Sequence, residues 1–453
     1  MVREDIVIIL GFMLFSVTFF TYYPTTYAIT DEAAYLSTAY TFERGTIFYD
    51  EAGIVNAPMG MSIAGHYISK WPPGNAALLL PFSIIHWKLV FLRGYLLMAL
   101  GFWIFILLLR NYKLPQIYAL LFLFHPSFIL YSRTIMSDVP AAIIALAGIY
   151  FLVKQKYFLA GILMGMGVSI RFPLLLLPIA SGVMLFLKKN RQYFIYFTIG
   201  AAVSIIPLIV YNFISFHVIT GSIGFYKVDF SFRYFWHMFK EFFFSLNILY
   251  PLLLILPFFL RKREKWVFII PALVFIVFYS LQSLIDRGES FFESIVLGQR
   301  FMLPIIPFLL IPYIAIVSRT KLARKAILPF CGLLLMLSIA IHSRHQEYLK
   351  LQVFYRNEVY KYAETAALVV CNKGVYELIN PYIKYIPWLP FESQGSLLPA
   401  ERYSNIREGT YLMCIAHNEK MRTLFLNALS NFSEKEEIHT SISPYYFSVW
   451  RVW

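Results

Sequence analysis

The sequence predicts an α-helical polytopic membrane protein with a small extracytoplasmic α/β domain at its C-terminal end. Three observations carry this reading. First, of 453 residues, 59% are hydrophobic, 19% aromatic and only 14% charged, whereas soluble domains carry roughly 45–50% apolar and about 25% charged residues. Second, apolar runs recur along the first three quarters of the chain, and basic clusters alternate with acidic connections between them. Third, the last hundred or so residues turn polar and show strand-like and amphipathic patterns.

Eleven apolar runs are expected to span: Ile6–Tyr23, Phe91–Leu109, Leu114–Tyr131, Val139–Val153, Tyr157–Ile170, Phe172–Leu187, Tyr193–Ile214, Ile248–Leu260, Trp266–Leu284, Phe301–Val317 and Ala326–Ile341. The first is long enough to cross a bilayer, which takes roughly 17–25 residues. It is too long for a signal-peptide core and no small-residue cleavage site follows, so it reads as a retained helix. Proline interrupts many runs, which membrane bundles tolerate where neighbours satisfy the freed carbonyls.

Five connections hold basic clusters: Arg110/Lys113, Lys154/Lys156, Lys188/Lys189/Arg191, Arg261/Lys262/Arg263/Lys265 and Arg319/Lys321/Arg324/Lys325, with Glu264 the one acid among them. With eleven spans all five fall on one side, and the positive-inside rule makes that side cytoplasmic. The other connections hold nearly all the inter-helix acids: Asp31, Glu32, Glu43, Asp50, Glu51, Asp138, Asp229, Glu241, Asp286, Glu289 and Glu293. The N-terminus is therefore expected inside and the C-terminus outside. Residues 1–341 are expected to form the membrane domain and 342–453 the outer domain.

The first outer connection, 24–90, contains Asn75–Trp87, which is apolar but short. It is expected to lie in the interface with Trp87 and Lys88 at headgroup level. A second outer region, Ser215–Asn247, is rich in Phe, Tyr and Trp. In the outer domain Thr365–Cys371, Gly409–Ala416 and Tyr445–Trp453 read as strands. Asn418–Asn431 reads as a helix with an apolar stripe at Met421, Leu424, Phe425 and Ala428. Asn431 opens an N-x-S triplet, a common chance pattern.

Several function classes lack their signatures. The net charge of +14 sits in short clusters between apolar runs, a membrane topology signal and not a nucleic-acid surface. The sequence has no phosphate loop of the G-x-x-x-x-G-K-[ST] type and no H-E-x-x-H. The three cysteines, Cys331, Cys371 and Cys414, have no zinc spacing and read as buried thiols, with one disulfide left open. The pair His342/His345 reads as a solvated junction. The glycines of "GILMGMG" (Gly161–Gly167) read as close helix packing and not as a nucleotide loop.

What remains is a set of charged groups at the outer membrane edge, where ionisable residues are costly and point to function. These are Asp31 and Glu32 in "YAITDEAAYL", Lys70 in "KWPPG", Arg133 and Asp138 in "SRTIMSDVPAA", Arg171 in "SIRFP" and Arg300 in "QRFMLP". Such a set would clamp an anionic phosphate with cations and take up a proton on a carboxylate. Plainer readings stand beside it. Acids in a first helical turn favour the helix dipole, and Asp138 could be an N-cap. Lys70 could anchor an interfacial helix to lipid. The arginines could reach for lipid headgroups, the preferred reading for Arg171.

In order and sidedness these motifs resemble those of GT-C fold glycosyltransferases. The likeness is greatest to protein O-mannosyltransferases and lipid A aminoarabinose transferases, and it covers roughly Ile6–Ile341. It implies a polyprenyl-phosphate-linked sugar donor, an acceptor hydroxyl on protein, lipid or glycan, and inverting single displacement. By the same resemblance Asp31 would be the base, with Glu32 orienting the acceptor or Asp31. Lys70, Arg300, Arg133 and Arg171 would bind the donor phosphate, and Asp138 a sugar hydroxyl or a cation partner. Arg44 would offset the negative charge of its loop. Membrane lipids and no nucleic acid are the implied partners, in a multi-pass cell-membrane location. A divalent metal is compatible with carboxylates and phosphate, but nothing in the sequence requires one. The competing class is a polytopic transporter or flippase for a lipid-linked or anionic substrate. Transporters often show internal repeats and midplane charges; here no repeat is evident, mid-helix charges are few, and the charges crowd one edge.

Overall fold

The computed structural model describes residues 2–49, 60–63, 66–187, 191–221, 230–260, 265–282, 299–383, 388–390, 392–393, 396–397, 410–442 and 445–452. Within the basic connections Lys188, Lys189, Arg261, Lys262, Arg263 and Glu264 lie outside these residues, as do the acids Asp50, Glu51, Asp229, Asp286, Glu289 and Glu293.

In chain order the helices are α1 (Val2–Thr21), α2 (Thr30–Glu43), α3 (Pro73–Ala77), α4 (Leu80–Ser83), α5 (Leu92–Asn111), α6 (Ala119–Leu123) and α7 (Pro126–Ser132). There follow α8 (Asp138–Val153), α9 (Tyr157–Ile170), α10 (Leu176–Leu187), α11 (Arg191–Phe216), α12 (Phe232–Leu249) and α13 (Trp266–Ser280). The last are α14 (Ile306–Val317), α15 (Lys321–Ala363), α16 (Lys373–Tyr376) and α17 (Glu419–Ser430). Among the described residues four stretches are long and apolar enough to cross a membrane: Glu4–Thr21, Trp87–Asn111, Arg191–Phe216 and Lys321–Ala363. Shorter apolar helices accompany them. The protein is a multi-pass, mainly helical membrane protein with a small C-terminal sheet.

The chain divides into two compact units. One comprises Met1–Pro24, Pro72–Phe82 and Leu89–Gln346; the other comprises Thr25–Trp71, Ser83–Lys88 and Glu347–Trp453. The last apolar run, Ala326–Ile341, lies inside α15, which continues without a break to Ala363.

The first unit has one continuous apolar core, in which Phe105, Phe122, Phe128, Ile143, Phe275, Met302 and Leu310 are almost fully buried. Several predicted spans differ from the helices observed. Leu114–Tyr131 is broken into a 3-10 turn, α6 and α7. His125, before Pro126, sits in extended backbone at φ −63°, ψ 120°, because the proline ring excludes the preceding residue from helix. Ile248–Leu260 is not a helical span. Tyr250 precedes Pro251 and leaves the helix, Leu252 adopts φ 66°, and only Leu256–Phe259 coils again as 3-10. Conversely, α12 arises in the stretch read as an outer connection. It buries Met238, Phe242, Ser245, Leu246 and Leu249 on one face and exposes Phe232, Trp236 and Phe244 on the other.

The interfacial helix expected at Asn75–Trp87 is split into α3, α4 and a 3-10 turn at Trp87–Phe91. Trp87 is buried, while Ile84 and Ile85 are the exposed apolar groups of this segment. His342 is also buried, facing Tyr22 at 5.7 Å between ring centroids, so the solvated-junction reading is corrected. The glycines of α9 behave as expected. A Cβ on Gly161 would collide with the backbone of Phe197 in α11, and one on Gly200 with that of Phe158.

The second unit contains a five-stranded sheet of order β4-β3-β7-β9-β8. Its strands are β3 (Leu368–Cys371), β4 (Trp388–Pro390), β7 (Thr410–Ala416), β8 (Lys435–Ser441) and β9 (Tyr446–Val452). The pairs β3/β4 and β3/β7 are parallel, and β9 runs antiparallel to β7 and β8. The two-residue alternation of strands divides the core. Val369, Cys371, Met413 and Ile415 face Tyr355, Val359 and Ala363 of α15. Leu368, Val370, Leu412 and Cys414 face Phe425, Ala428 and Leu429 of α17. Cys371 and Cys414 thus lie on opposite faces of the sheet, which removes the disulfide the sequence left open. The N-terminus of α17 is capped by Asn418, whose side chain accepts from the Met421 amide at 2.9 Å. Two small hairpins complete the unit: β1 (Gly60–Ile63) with β2 (His66–Ser69), and β5 (Glu392–Ser393) with β6 (Ser396–Leu397).

Candidate functional site

The predicted site residues fall into two groups, one in each unit. In the second unit α2 begins at Thr30, so Asp31 and Glu32 occupy its first turn, where carboxylates favour the helix dipole. Their environments differ. Glu32 is buried, and its Oε2 accepts a hydrogen bond from the Ala28 amide at 2.8 Å. That bond closes the turn into the helix in the manner of a capping residue reaching back. Asp31 is partly exposed.

Two groups that sequence reasoning missed, Glu377 and Lys373, join Asp31 and the predicted Lys70. Glu377 follows α16, and its Oε1 lies 3.5 Å from Lys373 Nζ. Burial, which penalises the charged form, pushes its carboxyl up to about 7. The Lys373 ammonium opposes that shift, the Asp31 charge adds to it, and a hydrogen bond with the Thr30 backbone opposes it. Lys70 follows β2 directly, with its ammonium 4.9 Å from the centroid of the Trp71 ring. Burial lowers its pKa, the Asp31 carboxylate counters that, and the Lys373 charge adds to the lowering. Asp31, Lys70, Lys373 and Glu377 therefore form one electrostatically coupled set. No spacing in the sequence could have found Glu377, more than three hundred residues from Asp31. Arg44 stacks on Tyr40 at 4.3 Å instead of joining this set through any described contact.

In the first unit Asp138 is the first residue of α8, and its side chain is fully buried. It is not the N-cap. That position is Ser137, which makes no side-chain cap bond. Its Oδ1 accepts from Arg171 Nη1, and its Oδ2 from Arg300 Nε at 3.2 Å. Arg171 also donates from Nε to the Tyr279 hydroxyl at 3.3 Å. Both guanidinium groups lie over the Phe301 ring, at 5.3 and 5.5 Å. Two cations thus share one carboxylate, with Arg171 11% and Arg300 20% exposed.

The loop that presents Asp138 is held by a buried pair the sequence reading passed over. Arg93, inside the predicted second span, donates to Asn75 Oδ1 at 2.6 Å and to the Met136 carbonyl at 3.1 Å. Asn75 donates to the Ile135 carbonyl at 2.9 Å. A lone arginine within an apolar run was the signal. Arg133 is not brought to the Asp138 group. It is fully buried, and its Nη2 donates to the Tyr22 carbonyl and, at 3.1 Å, to Gln346 Oε1.

Among the described residues no three or more His, Cys, Asp or Glu side chains gather in a metal-ligating group. The oxygens of Asp138 are engaged by arginines, and Glu32 holds a backbone amide.

The fold is that of the GT-C class, a polytopic helical membrane body with a small α/β unit. Two solved structures share it along nearly their entire length, both of ArnT, the lipid A aminoarabinose transferase, from Cupriavidus metallidurans. One is bound to undecaprenyl phosphate (TM-score 0.68, 11% identity, 97% of each chain covered) and the other is in the apo state (TM-score 0.66, 11% identity, 97% of each chain). No family model matches this sequence, and no curated protein matches it. At this identity the likeness is one of fold.

Proposed function

We propose that this protein is a membrane glycosyltransferase that moves a sugar from a polyprenyl-phosphate carrier to an acceptor hydroxyl on the extracytoplasmic face. The observation that carries the reading is the fold match, which spans 97% of this chain and of an enzyme crystallised with undecaprenyl phosphate. The motif order in the first 341 residues supports it independently.

In the proposed reaction the acceptor oxygen attacks the anomeric carbon. The bond from that carbon to the phosphate oxygen breaks, and its electron pair leaves with the polyprenyl phosphate. The acceptor proton passes to Asp31. The partly exposed Asp31 suits that role better than Glu32, which is committed to the Ala28 amide. Lys70, Arg171 and Arg300 are assigned to the phosphate, whose leaving charge fixed cations would stabilise. Arg133, enclosed as it is, is assigned to this role only through displacement of its present partners. Asp138 orients the two arginines and is the remaining candidate for a sugar hydroxyl.

The test uses membranes containing the full chain and a panel of labelled polyprenyl-phosphate sugars. Asp31→Asn is expected to lower transfer by about 10²–10⁴-fold, the usual contribution of a positioned base, while the protein stays monodisperse. Unchanged transfer removes Asp31 from the mechanism. Movement of label across sealed vesicles with no glycosylated product would select the transporter reading instead.

A further inference from the structure

Three of the basic connections of the first unit meet around one cavity of about 290 Å³. Lys113 comes from the turn after α5, Lys265 from the start of α13, Arg319 from the α14–α15 connection and Arg324 from the first turn of α15. A fourth connection reaches the same end, because Lys154 Nζ donates to Asn111 Oδ1, at the last residue of α5, at 2.8 Å. Asp138 and Lys154 bracket α8, whose 16 residues rise roughly 24 Å. The cavity is therefore at the opposite end of the helices from the Asp138 cluster.

Among the described residues, four cations line the cavity together with the Tyr112 and Ser318 side chains, and none of the described lining residues is acidic. Part of the charge is used locally: Arg324 Nε donates to the Ser318 carbonyl at 2.7 Å, and Lys265 Nζ to the Phe258 carbonyl. Those bonds cap helix ends. Lys113 and Arg319 are exposed and, among the described residues, no ion pair holds them. Large apolar groups flank the lining residues in sequence and are exposed: Phe258, Phe259, Trp266 and Leu322. The volume is at the small end of ligand sites, which run from roughly 300 Å³.

From this we infer that the cavity is a phosphate-binding site, taken by the headgroup of an anionic phospholipid whose acyl chains lie along the exposed Phe258, Phe259, Trp266 and Leu322. Convergent lysines and arginines, with no carboxylate among the described lining residues, suit a phosphodiester, and basic pockets between membrane helices suit anionic headgroups. The surrounding aromatic residues favour a lipid over a free anion.

The experiment is native mass spectrometry of the full chain in neutral detergent, titrated with phosphatidylglycerol, phosphatidylcholine or inorganic phosphate. Wild type is expected to retain one phosphatidylglycerol preferentially over phosphatidylcholine. Lys113→Gln/Arg319→Gln is expected to weaken retention at least tenfold, and Arg319→Lys to be intermediate. Lys156→Gln, a basic residue at the same end but outside the cavity, is expected to leave retention unchanged. Because Lys113 and Arg319 are exposed, the double variant is expected to melt like wild type; should it not, Arg319→Gln alone decides. Displacement of the lipid by inorganic phosphate at submillimolar concentration would overturn the lipid assignment in favour of a free phosphate ligand. Equal retention by wild type, the double variant and Lys156→Gln would overturn the site.

Discussion

Asp138→Asn separates two roles for this buried carboxylate. The substitution keeps the shape and removes the charge, leaving Arg171 and Arg300 without their shared counter-ion. Removing one partner of a buried ion pair costs about 3–5 kcal/mol. The carboxylate is fully buried, but Arg171 and Arg300 are 11% and 20% exposed and retain some water. The lower end, about 3 kcal/mol, is the expectation. A domain of 150–250 residues loses about 2–4 °C in Tm per kcal/mol, and a larger one less, so the midpoint should fall on the order of 5 °C. The assay is thermal melting of the detergent-solubilised protein followed by tryptophan fluorescence. Arg300→Gln should cost less, because Asp138 keeps Arg171. The double variant Asp138→Asn/Arg171→Gln should fall short of the sum of the single losses, with a coupling of about 0.5–3 kcal/mol. An Asp138→Asn midpoint within a degree of wild type would refute the clamp. If the acceptor or donor KM then rose while stability held, Asp138 would instead meet a substrate hydroxyl directly.

Two further substitutions probe other parts of the molecule. Glu377 has its carboxyl raised from 4.5 to about 7, so the folded state binds this proton more tightly than the unfolded chain. Its stabilising contribution is present below about pH 4.5 and is lost as pH rises through 7, on the order of 3 kcal/mol. Melting of Glu377→Gln at pH 5 and pH 8 should show that part of the wild-type decline missing, and an unchanged pH slope would refute it. Gly161→Val should separate α9 from α11, since its Cβ would meet the Phe197 backbone. A cost of about 1–3 kcal/mol or more is expected, read as lower yield and melting temperature, whereas Gly332→Ala, where a Cβ meets nothing, should be silent.

What the sequence could show followed from chemistry that is local or periodic. Apolar runs marked α1, α5, α8, α9 and α11 within a few residues, because lipid demands long uninterrupted hydrophobicity. Strand alternation located β3, β7 and β9, and the stripe from Met421 to Ala428 located α17. The reading failed where proline overrode hydropathy. Leu114–Tyr131 and Ile248–Leu260 are apolar throughout, yet Pro126, Pro251 and Pro257 dictate where helix stops. It failed again at α12, whose mixture of Phe, Trp, Lys and Glu scores as a loop by mean composition. Its helical face appears only when Met238, Phe242, Leu246 and Leu249 are read at spacings of three and four.

The acidic pair at the start of α2 shows the same division. Composition and topology could mark Asp31-Glu32 as an unusual place for charge, but not the different surroundings of its two members. That difference comes from non-local and backbone terms. The Ala28 amide engages Glu32, and the buried Glu377 and the two lysines reach Asp31 through the fold of the second unit. A raised Glu377 pKa beside Asp31 has a chemical consequence. When Glu377 is protonated it carries no charge; when it ionises above about pH 7, it adds one negative charge to the set that would receive the acceptor proton, which favours that transfer. Under the proposed reaction, transfer by wild type should therefore gain an additional rise across neutral pH that Glu377→Gln lacks, while Glu32→Gln, which alters a turn and not this coupling, should keep it.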